Sequence, residues 1–175
     1  MYYVIQVETG KENKTIKEMN ERLSSAFSFE AFTPLYEANK KMHGEYIRVT
    51  KPYFPGYVFV ETDNPQELFK GLYYVPGFTK LLGREGLTDL FIPLLEHEER
   101  MIDILCSKHS DRVTRLSSAS IKPGMNVIIL DGPLLGYESL IKKVNLHKRT
   151  VTISLSIGGI YSDVELGIDL VSESK

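Results

Sequence analysis

The run Phe54-Pro55-Gly56-Tyr57-Val58-Phe59-Val60 constrains the fold more than any other stretch of this chain. Its Pro-Gly pair is turn chemistry, and the aromatic and β-branched residues after it favour a strand at the centre of a sheet. Far downstream, Asp131-Gly132-Pro133-Leu134-Leu135-Gly136 repeats the arrangement as a Gly/Pro turn set among short strand-like runs. Neither stretch carries a catalytic group. Aromatics before a strand, followed by a separate β-module, point to a protein that grips other macromolecules.

The remaining elements fall around these two turns. Residues 2–7 read as a strand, and 12–23 as a helix, with Ile16, Met19 and Leu23 at helical spacing. A strand is expected over 29–35, a hairpin with its tip at Gly44 over 40–50, and a strand over 53–61. Pro65 opens a short helix, as proline does in a first turn. A short strand at 79–82 stops at Gly83 and Gly86, and 96–106 is a helix with Glu96, Glu98 and Glu99 at its positive N-terminal end. The order β-α-β-β-α-β plus a last helix predicts an α+β protein, with a split βαβ (ferredoxin-like) sheet carrying its helices on one face. Residues 107–120, rich in Ser and charge, have linker composition. Four β-rich runs at 126–130, 139–144, 151–156 and 161–166 then predict a small closed barrel. The expected division is therefore 1–106, linker 107–120 and 121–175.

Composition excludes several classes. A formal charge of −2 over 175 residues is no global signature of nucleic-acid binding, so such contacts must come from local clusters. Cys106 is the only cysteine, and the four histidines are scattered, so no disulfide, metal site or cofactor is expected. No apolar run reaches the roughly 20 residues needed to span a bilayer, and no signal-peptide core opens the chain; a cytoplasmic protein without membrane contact is expected. Cys106 and His109 alone do not make a catalytic constellation, so the chain is not expected to be an enzyme.

Several motifs occur in a telling order: Tyr2-Tyr3-Val4-Ile5-Gln6, the 54–57 turn, Val75-Pro76-Gly77-Phe78 and Leu82-Gly83. Pro123-Gly124, Asp131-Gly132-Pro133, Ser156-Ile157 and Val164-Glu165-Leu166 follow in the second half. This series resembles the NusG family of bacterial transcription elongation factors over nearly the whole chain. The resemblance implies an N-terminal NusG domain, a linker and an SH3-like KOW barrel. It also implies that the first domain docks on the clamp helices of RNA polymerase through an apolar depression. Tyr2, Tyr3, Phe54, Pro55, Gly56 and Tyr57 match that polymerase-binding surface. Because neighbours on a strand face opposite sides, Tyr2 and Tyr3 are not both expected in the core.

Two basic clusters stand out. Lys40, Lys41 and Arg48, with His43 and Lys51 nearby, surround the hairpin tip, which in the family points towards upstream DNA. Lys142, Lys143, His147, Lys148 and Arg149 lie within eight positions without an intervening acid, a pattern suited to the phosphates of a structured nascent RNA.

The chain departs from the housekeeping pattern at two points. Ser-Ile-Phe-Gly-Arg of that pattern is Ser156-Ile157-Gly158-Gly159-Ile160 here, and Ser139 stands where a KOW glycine is expected. The aromatic replaced by Gly158 is the anchor for the termination factor Rho or a ribosomal protein, so neither is expected as a partner. A specialised, LoaP-like antiterminator acting as a monomer is the leading reading. Housekeeping coupling to Rho or translation, a fold-switching paralogue and a KOW-type ribosomal RNA-binding protein are the alternatives. The β-branched Val151-Thr152-Ile153 disfavours fold switching, and residues 1–106 disfavour the ribosomal protein.

Overall fold

Two nearly continuous apolar strands organise the first half of the chain. β1 (Tyr2–Val7) and β5 (Tyr57–Glu61) pair antiparallel, placing Tyr3 opposite Val60 and Val4 opposite Phe59. β2 (Glu30–Phe32) joins the far side of β5, and β6 (Thr79–Leu81) the far side of β1, so the sheet order is β2-β5-β1-β6. The structure, a computed structural model, describes residues 1–77, 79–81, 92–106, 111–122 and 126–171. Phe78, Leu82, Gly83, Gly86, His109, Pro123 and Gly124, all used in the sequence reading, lie outside the described residues.

The protein forms two compact units. The first takes in Met1–Thr33, Phe54–Met101 and Ile157–Gly159. On one face of its sheet, Tyr3, Ile5, Val7, Val58 and Val60 pack with Met19 and Leu23 of α1 (Glu12–Leu23) and Leu68 and Leu72 of α2 (Pro65–Leu72). The other face carries an aromatic row. Tyr2 meets Phe32 edge-on with ring centroids 5.6 Å apart, Phe32 meets Phe59 at 5.9 Å, and Phe59 meets Phe54 at 5.7 Å.

This corrects the expectation for Tyr2 and Tyr3. Both are buried, at 5% and 3% exposure, because the sheet is covered on both faces. At the edge of β1 the Leu94 N–H donates to the Tyr2 carbonyl, and Glu99 of α3 (Glu96–Leu105) accepts from the Tyr2 N–H. Alternation separates neighbouring side chains, but it leaves open whether the outer face meets water.

The second unit takes in Pro34–Tyr53, Ile102–Ser156 and Ile160–Lys175. The expected hairpin is present as β3 (Leu35–Met42) and β4 (Glu45–Pro52), closed by the two-residue turn His43-Gly44. Both turn residues have positive φ, which matches the twist of the flanking strands. β7 (Val113–Thr114) runs parallel to β3. A five-stranded sheet follows in the order β10-β11-β12-β8-β9. Its strands are β8 (Ser117–Lys122), β9 (Asn126–Asp131), β10 (Ile141–Asn145), β11 (Thr150–Ile157) and β12 (Ile160–Leu170). The four β-rich runs of the sequence are β9 to β12. The class is α+β, as expected.

The Ser-rich stretch departs from its linker composition. Thr114, Ser117 and Ser120 are buried in strands, because their small side chains fit there and two of the hydroxyls are bonded. The Tyr53 hydroxyl donates to Thr114 Oγ1 at 2.8 Å, Thr114 donates to the Leu105 carbonyl, and Ser117 Oγ accepts from the Leu134 N–H. A satisfied hydroxyl in the interior carries little of the usual burial penalty.

Candidate functional site

The turn at residues 54–57 is built by its own chemistry. The Tyr57 N–H bonds the Phe54 carbonyl at 3.2 Å, with Pro55 at the first central position and Gly56 at the second with φ +84°. That is the geometry of a type II turn, which needs glycine where φ is positive. Gly56 has a second constraint, since a Cβ there would come within 2.8 Å of Thr9 Oγ1.

Glu12, at the start of α1, locks the turn. Its carboxylate accepts from the Gly56 N–H at 2.6 Å. Burial pushes its pKa up, but bonds from the backbone N–H groups of Gly56, Glu12 and Gly10 outweigh it and hold the carboxyl below its ordinary value. A depressed folded-state pKa adds stability above the unfolded-state value, and this is lost as pH falls through the folded one. Glu12→Gln is therefore expected to destabilise by about 1–3 kcal/mol at pH 7. The gap from wild type should narrow below about pH 4, as read from urea midpoints across pH; a constant gap would show that the charge contributes nothing.

The six residues assigned to polymerase binding are not equally available. Tyr2 and Phe54 lie in the aromatic row, and Tyr3 packs on the opposite face against the helices. All three are buried, as is Gly56, whereas Pro55 is exposed and Tyr57 half-buried. Gly158, at the two-glycine turn between β11 and β12, belongs to the same unit. Its N–H donates to Glu98 at 2.8 Å, and a Cβ would approach Leu94 to 3.0 Å.

The basic clusters of the sequence lie together in the second unit. Asn39, Lys41, Tyr46 and Arg48 share one face of the hairpin by alternation and register, while Lys40 belongs to the other. On the first face the Tyr46 hydroxyl donates to the His147 carbonyl at 2.5 Å, and the Arg149 guanidinium stacks 4.5 Å from the Tyr46 ring centroid. Asn39 Nδ2 donates to the carbonyls of Arg149 and Ile168. Arg48 pairs with Asp169 at 3.0 Å and Lys148 with Glu165 at 3.5 Å, both exposed. Lys142, Lys143 and His147 are exposed, and among the described residues Lys41, Lys142 and Lys143 have no carboxylate partner. Ser139 sits in a 3₁₀ turn, Glu138–Leu140, immediately before β10.

Sequence reasoning missed Tyr46 and Asn39. Nothing local marks them, since their partners lie 101 to 129 residues away.

The architecture has known counterparts. The family model described as "Transcription termination factor nusG" matches residues 1–103. The chain belongs to the NusG family. Its relatives include the transcription termination/antitermination protein NusG of Staphylococcus carnosus, 26% identical with 98% of this chain and 94% of that protein covered. The NusG proteins of Halalkalibacterium halodurans and Pseudomonas aeruginosa are 25% and 23% identical, covering 94% and 98% of this chain and 93% and 97% of theirs. A solved structure of domain interaction in Thermotoga maritima NusG shares the fold, with a TM-score of 0.55 and 18% identity over 95% of this chain and 93% of that one.

The NusG family comprises transcription factors, and nucleophile chemistry has no foothold at Cys106. The thiol is buried, and burial raises its pKa to about 12, with the Thr114 bond and Arg112 only partly opposing this. Among the described residues no group of three or more His, Cys, Asp or Glu could hold a metal ion, and no helix is long and apolar enough to cross a membrane.

Proposed function

We propose that this protein is a specialised elongation and antitermination factor, LoaP-like in type. Residues 1–106 would hold the clamp helices of RNA polymerase, and the β10–β11 turn within residues 121–175 a structured leader RNA. The carrying observation is the set of cations at and beside that turn: Lys142 and Lys143 of β10 and His147 of the turn are exposed, and Lys142, Lys143 and the hairpin's Lys41 have no carboxylate partner among the described residues. Gly158 supports the specialised reading. It offers no aromatic anchor to Rho or a ribosomal protein, and its backbone is engaged by Glu98. On the polymerase side, Pro55 and Tyr57 reach solvent, whereas Tyr2 and Phe54 are buried and a docking helix would reach them only if their surroundings opened.

The test is a titration of the full chain against stem–loop RNAs from the leader of the operon that contains its gene. Replacing Lys142, Lys143, Lys148 and Arg149 by Gln should weaken binding and flatten its salt dependence by about 0.7–0.9 log units per tenfold salt for each lost phosphate contact. Polymerase pull-down should be unchanged. Equal affinity of wild type and variant would remove the RNA assignment, and equal affinity for every RNA tested would remove the specificity.

A further inference from the structure

The sequence places one basic cluster at residues 40–51 and another at 142–149, with separate roles. In the structure they meet. The hairpin face carrying Lys41, Tyr46 and Arg48 lies against the turn formed by His147, Lys148 and Arg149, through the Tyr46–His147 bond, the Arg149–Tyr46 stack and the two Asn39 bonds.

We propose that a single structured RNA is held jointly by both segments, with Arg149 on its Tyr46 platform at the centre and Lys41 as the hairpin's phosphate contact. The inference rests on the RNA reading above and extends it to a second element.

Three observations carry it. First, Arg149 is pre-positioned. It has φ +53°, a left-handed conformation unusual for a non-glycine residue, and its backbone is tied at both ends. Its N–H donates to the Leu146 carbonyl, and its carbonyl accepts from Ile168 and from Asn39. Within the same turn, Asn145 Oδ1 accepts from the Lys148 N–H at 3.0 Å. A guanidinium stacked on a ring keeps its N–H edge free for bidentate phosphate contact, and a fixed side chain loses less entropy on binding.

Second, the cations of this face are not equivalent. Asp169 and Glu165 already neutralise Arg48 and Lys148 in part, whereas Lys41, 6.0 Å from the Tyr46 ring, has no carboxylate among the described residues. Third, two strands and a turn spread charge over a surface wider than one loop. An A-form helix is read that way, through backbone contacts spread along its shape.

The experiment uses the full chain and a stem–loop RNA of about 16 base pairs with a four-nucleotide loop, sized to an A-form footprint. A DNA hairpin of the same sequence is the comparison. Lys41→Gln should lower RNA affinity about five- to eight-fold at 0.1 M salt and reduce the salt slope by one contact's share, about 0.7–0.9. Lys40→Gln, the same charge change on the opposite hairpin face, should leave affinity within two-fold. Tyr46→Leu should weaken binding without a change of charge, and its effect should be lost in an Arg149→Gln background because both act through the guanidinium.

Equal losses from Lys40→Gln and Lys41→Gln would reduce the hairpin to a diffuse field and overturn the joint site. An unchanged affinity for Lys41→Gln and Tyr46→Leu, with the four-residue Gln variant still impaired, would overturn the joint site alone and leave the barrel reading standing. Equal binding of the DNA hairpin would overturn RNA as the occupant.

Discussion

Replacing Phe54 by alanine is expected to cost about 3–5 kcal/mol of stability, the loss typical of a buried phenylalanine. The side chain is 1% exposed and closes the aromatic row against Phe59. Its removal opens a void that neighbouring rings cannot fill without leaving their own contacts. Tyr57→Ala should behave differently. Tyr57 is half-buried at the end of the same turn, so its truncation should be milder for the fold. If Tyr57 anchors polymerase, that variant should lose at least about 2 kcal/mol of binding, as interface aromatics do. Chemical denaturation gives the first quantity, and polymerase pull-down with the folded variant gives the second. Full-strength capture of polymerase by Tyr57→Ala would remove Tyr57 from the interface. A stability loss below about 1 kcal/mol for Phe54→Ala would contradict its place in the core.

Gly132→Ala should be the most damaging small substitution in the second unit, at more than about 2 kcal/mol. Gly132 has φ +100°, and a Cβ there would stand 2.7 Å from the Ser117 Cα and 3.1 Å from the Leu116 carbonyl oxygen. Both are backbone atoms, and the Ser117 hydroxyl is tied to the Leu134 N–H, so β8 has little freedom to yield. Gly136→Ala is the matched control. It has φ +83° with nothing within 4 Å, so it carries only the conformational cost, about 1 kcal/mol. Equal shifts of the urea midpoint for the two variants would show that the approach to Ser117 contributes nothing.

Much of the fold was legible in local chemistry. The Pro55-Gly56 pair specified a turn, Gly44 a hairpin tip, and the spacing of Met19 and Leu23 the buried side of α1. The strands of the second half followed from short β-rich runs set between turn residues. Local signals failed where the deciding partner was distant. The 29–35 run broke into β2 and β3, which pair in different sheets. Residues 107–120 looked like a linker because charged and small hydroxylated side chains favour solvent unless something bonds them. Tyr53, Leu105 and Leu134 supply those bonds, and no pattern within the stretch names them.

The candidate site divides in the same way. By itself the sequence determined which residue types were available: aromatics flanking a type II turn, two basic clusters, a glycine in place of an aromatic, and no catalytic constellation. Tertiary structure alone decided their arrangement. It covered β1 on both faces, burying Tyr2 and Tyr3 together, and it paired Arg48 with Asp169, removing a cation that looked free. It also brought Tyr46 to Arg149, joining clusters about a hundred residues apart in the chain. The physical reason is range. Turn geometry and side-chain alternation act over two to four residues and can be read along the chain, whereas burial, ion pairing and stacking depend on which surfaces the whole chain finally presses together.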